Sequence, residues 1–185
     1  MAEVIFIIGP GGAGKSTTGV ILSQLIGYKL LDLDTEFCDH IQNIRDYISI
    51  YGYEAYLQKN SDLLELLLKK NADVNLLVIL SSGFLSTDIC ENIVTKNRRM
   101  VEQRGMSILL LPSQNYIESL ECIVKRQLQR GFSLTKEKEE KKFSQRFYEY
   151  IKLGDIKIFS MDTPEKIAHL VFDEIKNHRK STFSR

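Results

Sequence analysis

The sequence predicts an α/β fold built on a parallel sheet, and three observations predict it. Short apolar runs alternate with stretches of helical spacing along the whole chain, as strands joined by crossover helices do. The first run leads into the pattern G-x-x-x-x-G-K-[ST] at Gly9, Gly14, Lys15 and Ser16, a glycine-rich turn between a strand and a helix. The 185 residues, 43% of them apolar, suit one globular domain with a sizeable core.

Taken in order, Val4–Ile8 reads as a buried strand, 14–25 as a helix, and 29–31 as a short strand ending at carboxylates. Residues 57–70 have helical spacing, 76–80 are strand-like, and 88–103 form an amphipathic helix that Gly105 ends as a C-cap. The next strand is 107–111. Asn115 with Glu118 makes an N-cap for a helix through Gln129, 135–152 is a second and highly charged helix, and 156–159 is another strand. Asp162, Pro164 and Glu165 start the last helix, and the tail 177–185 is expected to fray.

Composition narrows the function. With 25 basic against 24 acidic residues, the net charge of +1 provides no long-range field for nucleic acid or an anionic membrane. Residues 4–8 are too short to span a membrane and lack the features of a secretory signal, so a cytoplasmic, monomeric protein is expected. Cys38, Cys90 and Cys122 share no metal-ligand spacing and read as free buried thiols, and His40, His169 and His178 are scattered. The mixed-sign run 136–142 reads as a solvated helix face, and Arg98, Arg99, Lys96 and Arg104 as surface charges.

The glycine-rich turn carries the chemistry. Its glycines let the backbone curl until successive N–H groups face phosphate oxygens, and the helix N-terminus adds its positive dipole end. That assigns phosphate binding to Gly11, Gly12, Ala13, Gly14, Lys15, Ser16 and Thr17, with Lys15 the mobile cation and the Ser16 hydroxyl a ligand for magnesium. Chance produces this pattern in on the order of one chain in a hundred of this length. Seventeen residues after Lys15 comes Asp32-Leu33-Asp34, at a strand end where an α/β sheet presents side chains to its crevice. Extended alternation would send Asp32 and Asp34 to one side, one to help hold magnesium and one to accept a hydrogen bond from an attacking hydroxyl. The alternative is an aspartate that only caps a turn or helix.

Gly9–Thr17, the helix after it, and Gly27-Tyr-Lys-Leu-Leu-Asp-Leu-Asp34 resemble the opening of shikimate kinases. The resemblance implies a three-layer α/β/α fold with a five-stranded parallel sheet, a single kinase domain over 1–176, a helical segment after Asp34 that binds substrate, and a lid over ATP at about 126–142. It implies ATP and Mg2+ as cofactors and phosphorylation of shikimate to shikimate 3-phosphate, a step of aromatic amino acid biosynthesis. Asp32 would support magnesium, Asp34 would hold substrate hydroxyls, Arg126 and Arg130 would close on ATP from the lid, and Arg146 would bind substrate. Lys15, Asp34 and Arg130 would be the catalytic groups.

The likeness thins after residue 40. Ile44…Gly52-Tyr-Glu-Ala-Tyr56 matches a family segment ending in Phe-Arg, but Leu57 and Gln58 stand where the substrate-gripping arginine belongs. Ser81-Ser82-Gly83-Phe84 keeps one glycine of a triplet, Gly83, and Phe84 is expected to intrude on substrate. Gly131 replaces the proline after the lid arginine. Two further readings stay open at this point: a kinase for another sugar acid, polyol or nucleotide, and an ATP-binding regulatory protein without turnover.

Overall fold

The protein is represented by a computed structural model that describes residues 2–131 and 134–183. The chain alternates strand and helix: β1 (Val4–Ile8), α1 (Lys15–Ile26), β2 (Lys29–Asp32), α2 (Leu33–His40), α3 (Ile44–Tyr51), α4 (Tyr53–Lys70), β3 (Leu76–Ile79), α5 (Glu91–Arg104), β4 (Met106–Leu111), α6 (Tyr116–Gln129), α7 (Lys136–Tyr150), β5 (Ile156–Phe159) and α8 (Pro164–Phe183). The strands form one parallel sheet in the order β2-β3-β1-β4-β5. Ile5 to Ile8 and Leu76 to Ile79 are all buried, as central strands are when helices cover both faces of a parallel sheet. Helices α1 and α8 pack together, and α4 packs on α5.

Register places the site. Ile7 pairs with Ile79, and Ile79 pairs with Asp32, so the ends of β1, β3 and β2 lie in one row. Gly9, Ser81 and Asp34 each stand two residues beyond that row, at the carboxyl edge of the sheet. The strand order reverses beside β1, and there an open α/β sheet leaves a crevice.

Several boundaries differ from the expectations. Helix starts at Leu33, directly after β2, because the Asp32 side chain caps it by accepting from the Asp34 N–H, and Asp34 and Glu36 favour its first turn. Asp34 is therefore helical, and the extended alternation expected for the two aspartates is not how they are presented. Residues 44–51 form a helix of their own, and α4 begins at Tyr53, four residues before the spacing suggested. Helix α5 starts at Glu91, and Gly105 ends it in an extended conformation. Helix α8 continues past Asn177 to Phe183, where Arg179 donates to Glu3 Oε2 at 2.6 Å and to the Tyr28 hydroxyl at 3.0 Å. All three cysteines are free, but Cys38 is exposed and Cys90 and Cys122 are half-buried, which corrects the expectation of buried thiols. Among the described residues no cluster of metal-binding side chains forms, and no helix is long and apolar enough to cross a membrane.

Candidate active site

Residues 9–16 carry the chain from β1 into α1. Gly12 and Gly14 both sit at φ 84, the left-handed region that side chains with a Cβ avoid, so the curl depends on glycine at these positions. Lys15 folds back across the loop, its Nζ donating to the carbonyls of Gly9 at 2.9 Å and Pro10 at 3.0 Å. Desolvation pushes its ammonium down to about 8; Arg130 and Lys142 push the same way, while Asp34 and Asp32 oppose them. A cavity of about 440 Å³ opens over the loop, walled by Gly11, Gly12, Gly14, Lys15, Ser16, Thr17, Asp32, Asp34, Arg126 and Arg130 among others. Ala13 is the exception among the expected loop residues, being buried with its N–H donated to the Pro10 carbonyl at 3.3 Å.

The two aspartates face different partners. Ser16 Oγ donates to Asp32 Oδ2 at 2.6 Å, which puts a hydroxyl and a carboxylate side by side at the mouth of the loop. Asp34 accepts from the Ser81 hydroxyl, and Ser81 accepts in turn from Asn60 Nδ2 at 2.8 Å. Asn60 is fully buried, so this chain of hydrogen bonds fixes the Asp34 carboxylate from inside the fold. Neither Ser81 nor Asn60 stood out in the sequence. A buried-face position on α4 occupied by asparagine was the available signal.

A second cavity, of about 600 Å³, adjoins the first and shares Asp34 and Ser82 with it. Gly83 and Arg146 lie in its wall, as the resemblance implied, together with Tyr53, Tyr56, Arg45 and Lys142. A Cβ on Gly83 would stand 2.0 Å from the Tyr53 hydroxyl and 3.3 Å from an Arg146 guanidinium nitrogen, so the missing side chain is what lets those two meet over it. Arg146 Nη2 lies 3.4 Å from the Tyr53 hydroxyl. Phe84 corrects an expectation. Its ring is fully buried in the core and does not intrude on the cavity. Leu57 is likewise buried, 1% exposed. Tyr56 packs edge-on against Phe37 while bordering the cavity; burial and the nearby Asp34 push its phenol up.

The side expected to supply the lid begins at α6. Arg126 Nη1 donates to the Gly12 carbonyl at 3.3 Å, and Arg130 Nη1 donates to Gln127 Oε1 at 3.1 Å. Gln127 packs on Gly11 and donates through Nε2 to Glu139 Oε2 at 3.1 Å. Glu139 is 5% exposed, and Lys142 pairs with it at 3.6 Å. The run 136–142 is thus not uniformly solvated: Glu139 is buried on the face packed toward the loop, and half-exposed Lys142 lies beside it at i,i+3 spacing. Arg98 also departs from a plain surface charge, donating to the Leu85 carbonyl at 2.8 Å and to Glu149 at 3.2 Å. Residues 132 and 133 of the expected lid lie outside the described residues.

Comparison with known proteins adds the family. A family model described as shikimate kinase matches residues 11–176. Shikimate kinase 2 of Yersinia enterocolitica is 28% identical over 118 residues, which make up 63% of this chain and 62% of that protein. The pentafunctional AROM polypeptide of Eremothecium gossypii is 32% identical over 85 residues, 45% of this chain and 5% of that polypeptide. These matches therefore span less than two thirds of either relative. Among solved structures, a shikimate kinase from Acinetobacter baumannii in complex with shikimate superposes with a TM-score of 0.78 at 19% identity, covering 96% of this chain and 95% of that one. That likeness shows the same fold.

Proposed function

This chain belongs to the shikimate kinase family, and from that premise we propose that it transfers the γ-phosphoryl group of ATP to a hydroxyl of shikimate, giving shikimate 3-phosphate. One observation carries the reading: a cavity over a phosphate loop and a second, hydroxyl-lined cavity meet at the Asp34 carboxylate. Transfer between two bound molecules needs this juxtaposition, because most of the catalysis is positioning and charge stabilisation.

In this reading the N–H groups of Gly11, Gly12, Gly14, Lys15, Ser16 and Thr17 and the Lys15 ammonium hold the donor's phosphates. Lys15 exchanges its two carbonyl partners for phosphate oxygens, and Arg126 and Arg130 lie against the donor from the lid, taken as residues 126–142 of a single domain over 1–176. Asp34, held by Ser81, accepts a hydrogen bond from the acceptor hydroxyl and orients its oxygen for in-line attack. Gly83 and Arg146 border the acceptor. The Ser16 hydroxyl and Asp32 carboxylate fit magnesium, which takes one or two protein oxygens and draws its remaining ligands from phosphates and water. Bound there, the cation would neutralise charge on the phosphates.

A second reading, phosphorylation of a different hydroxylated acid, is favoured by Leu57, which stands where the family resemblance implied a substrate-gripping arginine. Incubation with γ-labelled ATP and a panel of shikimate, other hydroxy acids, polyols and nucleoside monophosphates separates the two. Label in shikimate is expected. Label only in another acceptor would move the assignment to that compound, and no label with ATP still bound would leave a binding protein.

A further inference from the structure

Phosphate binding alone accounts for neither Gly11 nor Glu139. Gly11 occupies an unrestricted position of the pattern G-x-x-x-x-G-K-[ST], and its φ lies outside the positive region that Gly12 and Gly14 occupy. What excludes a side chain there is Gln127: a Cβ on Gly11 would stand 2.5 Å from Gln127 Nε2 and 3.2 Å from its Cδ. Glu139 is a buried carboxylate on a highly charged helix. It too closes on Gln127, a buried residue whose amide is held at each end. Gln127 Oε1 accepts from Arg130 Nη1 at 3.1 Å, and Nε2 donates to Glu139 Oε2 at 3.1 Å. Turning the amide over would present N–H to a guanidinium and oxygen to a carboxylate, so the two contacts fix its orientation together. Burying a carboxylate is costly, and an apolar pair of this volume would stabilise the fold at least as well.

We infer that Gln127 and Glu139 are positioning residues for the donor: Glu139 orients the Gln127 amide, and the amide aims the Arg130 guanidinium across the loop at the donor's phosphates. The inference rests on the donor half of the kinase reading above and deepens it. Gln127 and Arg130 both wall the cavity over the loop, so the chain of contacts ends where phosphate would lie. Arg130 stands at the C-terminal end of α6, on a long side chain with many rotamers. Fixing its direction before the donor arrives removes an ordering cost from binding and from transfer. Glu139 carries the same constraint to α7, where Lys142 supplies its counter-charge at 3.6 Å.

The decisive variant replaces both groups. Removing one would strand the other in a buried place, whereas Gln127→Met with Glu139→Met leaves an apolar contact of similar volume. Calorimetry with magnesium-ATP is expected to give a dissociation constant about tenfold above wild type, the scale of a lost charge-assisted contact, with a melting temperature unchanged or raised. Adding Arg130→Met should cost no more than about twofold further, because the pair acts through that guanidinium. Glu139→Gln keeps an oxygen toward Gln127 and should bind ATP within about twofold of wild type. In the kinase assay kcat should fall in the double variant while the KM of the acceptor holds. If the double variant binds and turns over ATP as the wild-type chain does, or if its loss is undiminished in the Arg130→Met background, the inference is overturned and the kinase reading stands. Should the double variant not fold, Gln127→Asn decides by the same titration, since its shorter amide cannot span both partners: wild-type affinity overturns the inference, and a loss of about tenfold supports it. If the wild-type chain binds ATP but labels no acceptor, the kinase reading fails while these affinities still decide the role of Gln127 and Glu139. No ATP binding by the wild-type chain overturns both.

Discussion

At the scale of single residues, the loop lysine links electrostatics to substrate binding. Without a ligand, Lys15 is desolvated and donates to two backbone carbonyls, and its pKa falls to about 8. Phosphates favour the ammonium, so its pKa in the complex lies higher than in the free protein. Below pH 8 the ammonium is present in both states, and its contribution to affinity is constant. Above pH 8 binding must take up a proton, and the ATP dissociation constant should rise by up to about tenfold per pH unit until the pKa of the complex is reached. Calorimetric titration with ATP from pH 7 to 9.5 checks this; a flat profile across pH 8 would remove Lys15 as the titrating phosphate ligand. The glycines, Lys15 and Ser16 were legible from the sequence because consecutive residues build the loop. Ser81 and Asn60 were not, because each acts on Asp34 through a contact between residues far apart in the chain.

At the scale of elements, the segment after β3 shows how a substitution that looks disruptive in the sequence becomes structural. Phe84 reads as an intruder in a glycine-rich stretch, yet its backbone accepts from Asn97 Nδ2 at 3.0 Å and its ring is swallowed by the core. With Arg98 holding the Leu85 carbonyl, α5 clamps the turn that presents Ser81, Ser82 and Gly83 to the cavity. Phe84→Ala should therefore cost about 3–5 kcal/mol of stability. The midpoint of urea unfolding measures it, and a cost under about 1 kcal/mol would mean that the ring is not seated as described. The start of α2 teaches a related lesson. The extended course expected for Asp32 to Asp34 gives way to a helix that Asp32 caps, which is the alternative reading of a capping aspartate, and Asp34 and Glu36 suit that helix's first turn.

At the scale of the whole molecule, the sheet order draws the loop, the aspartates and the serine pair to one edge, while α8 ties the far end of the chain to Glu3 and Tyr28. Ligand binding to the native state alone stabilises it by about 2.7 kcal/mol at a hundredfold excess over the dissociation constant. For a domain of this size that raises the melting temperature by about 5–10 °C. Magnesium-ATP should produce a shift of that order in the wild-type chain and little in Lys15→Ala, as read by differential scanning fluorimetry. Equal shifts in both would place nucleotide binding elsewhere.

The sequence alone determined the parallel α/β class, the phosphate loop, the pair of aspartates and the family, since each is written in local patterns of turn, period and spacing. Only the tertiary structure decided which way Asp34 faces, that Phe84 belongs to the core, and that Arg45 and Lys142 line the second cavity beside Arg146. Those outcomes depend on strand register and on helices meeting across the fold, and neither is encoded in any one stretch of chain.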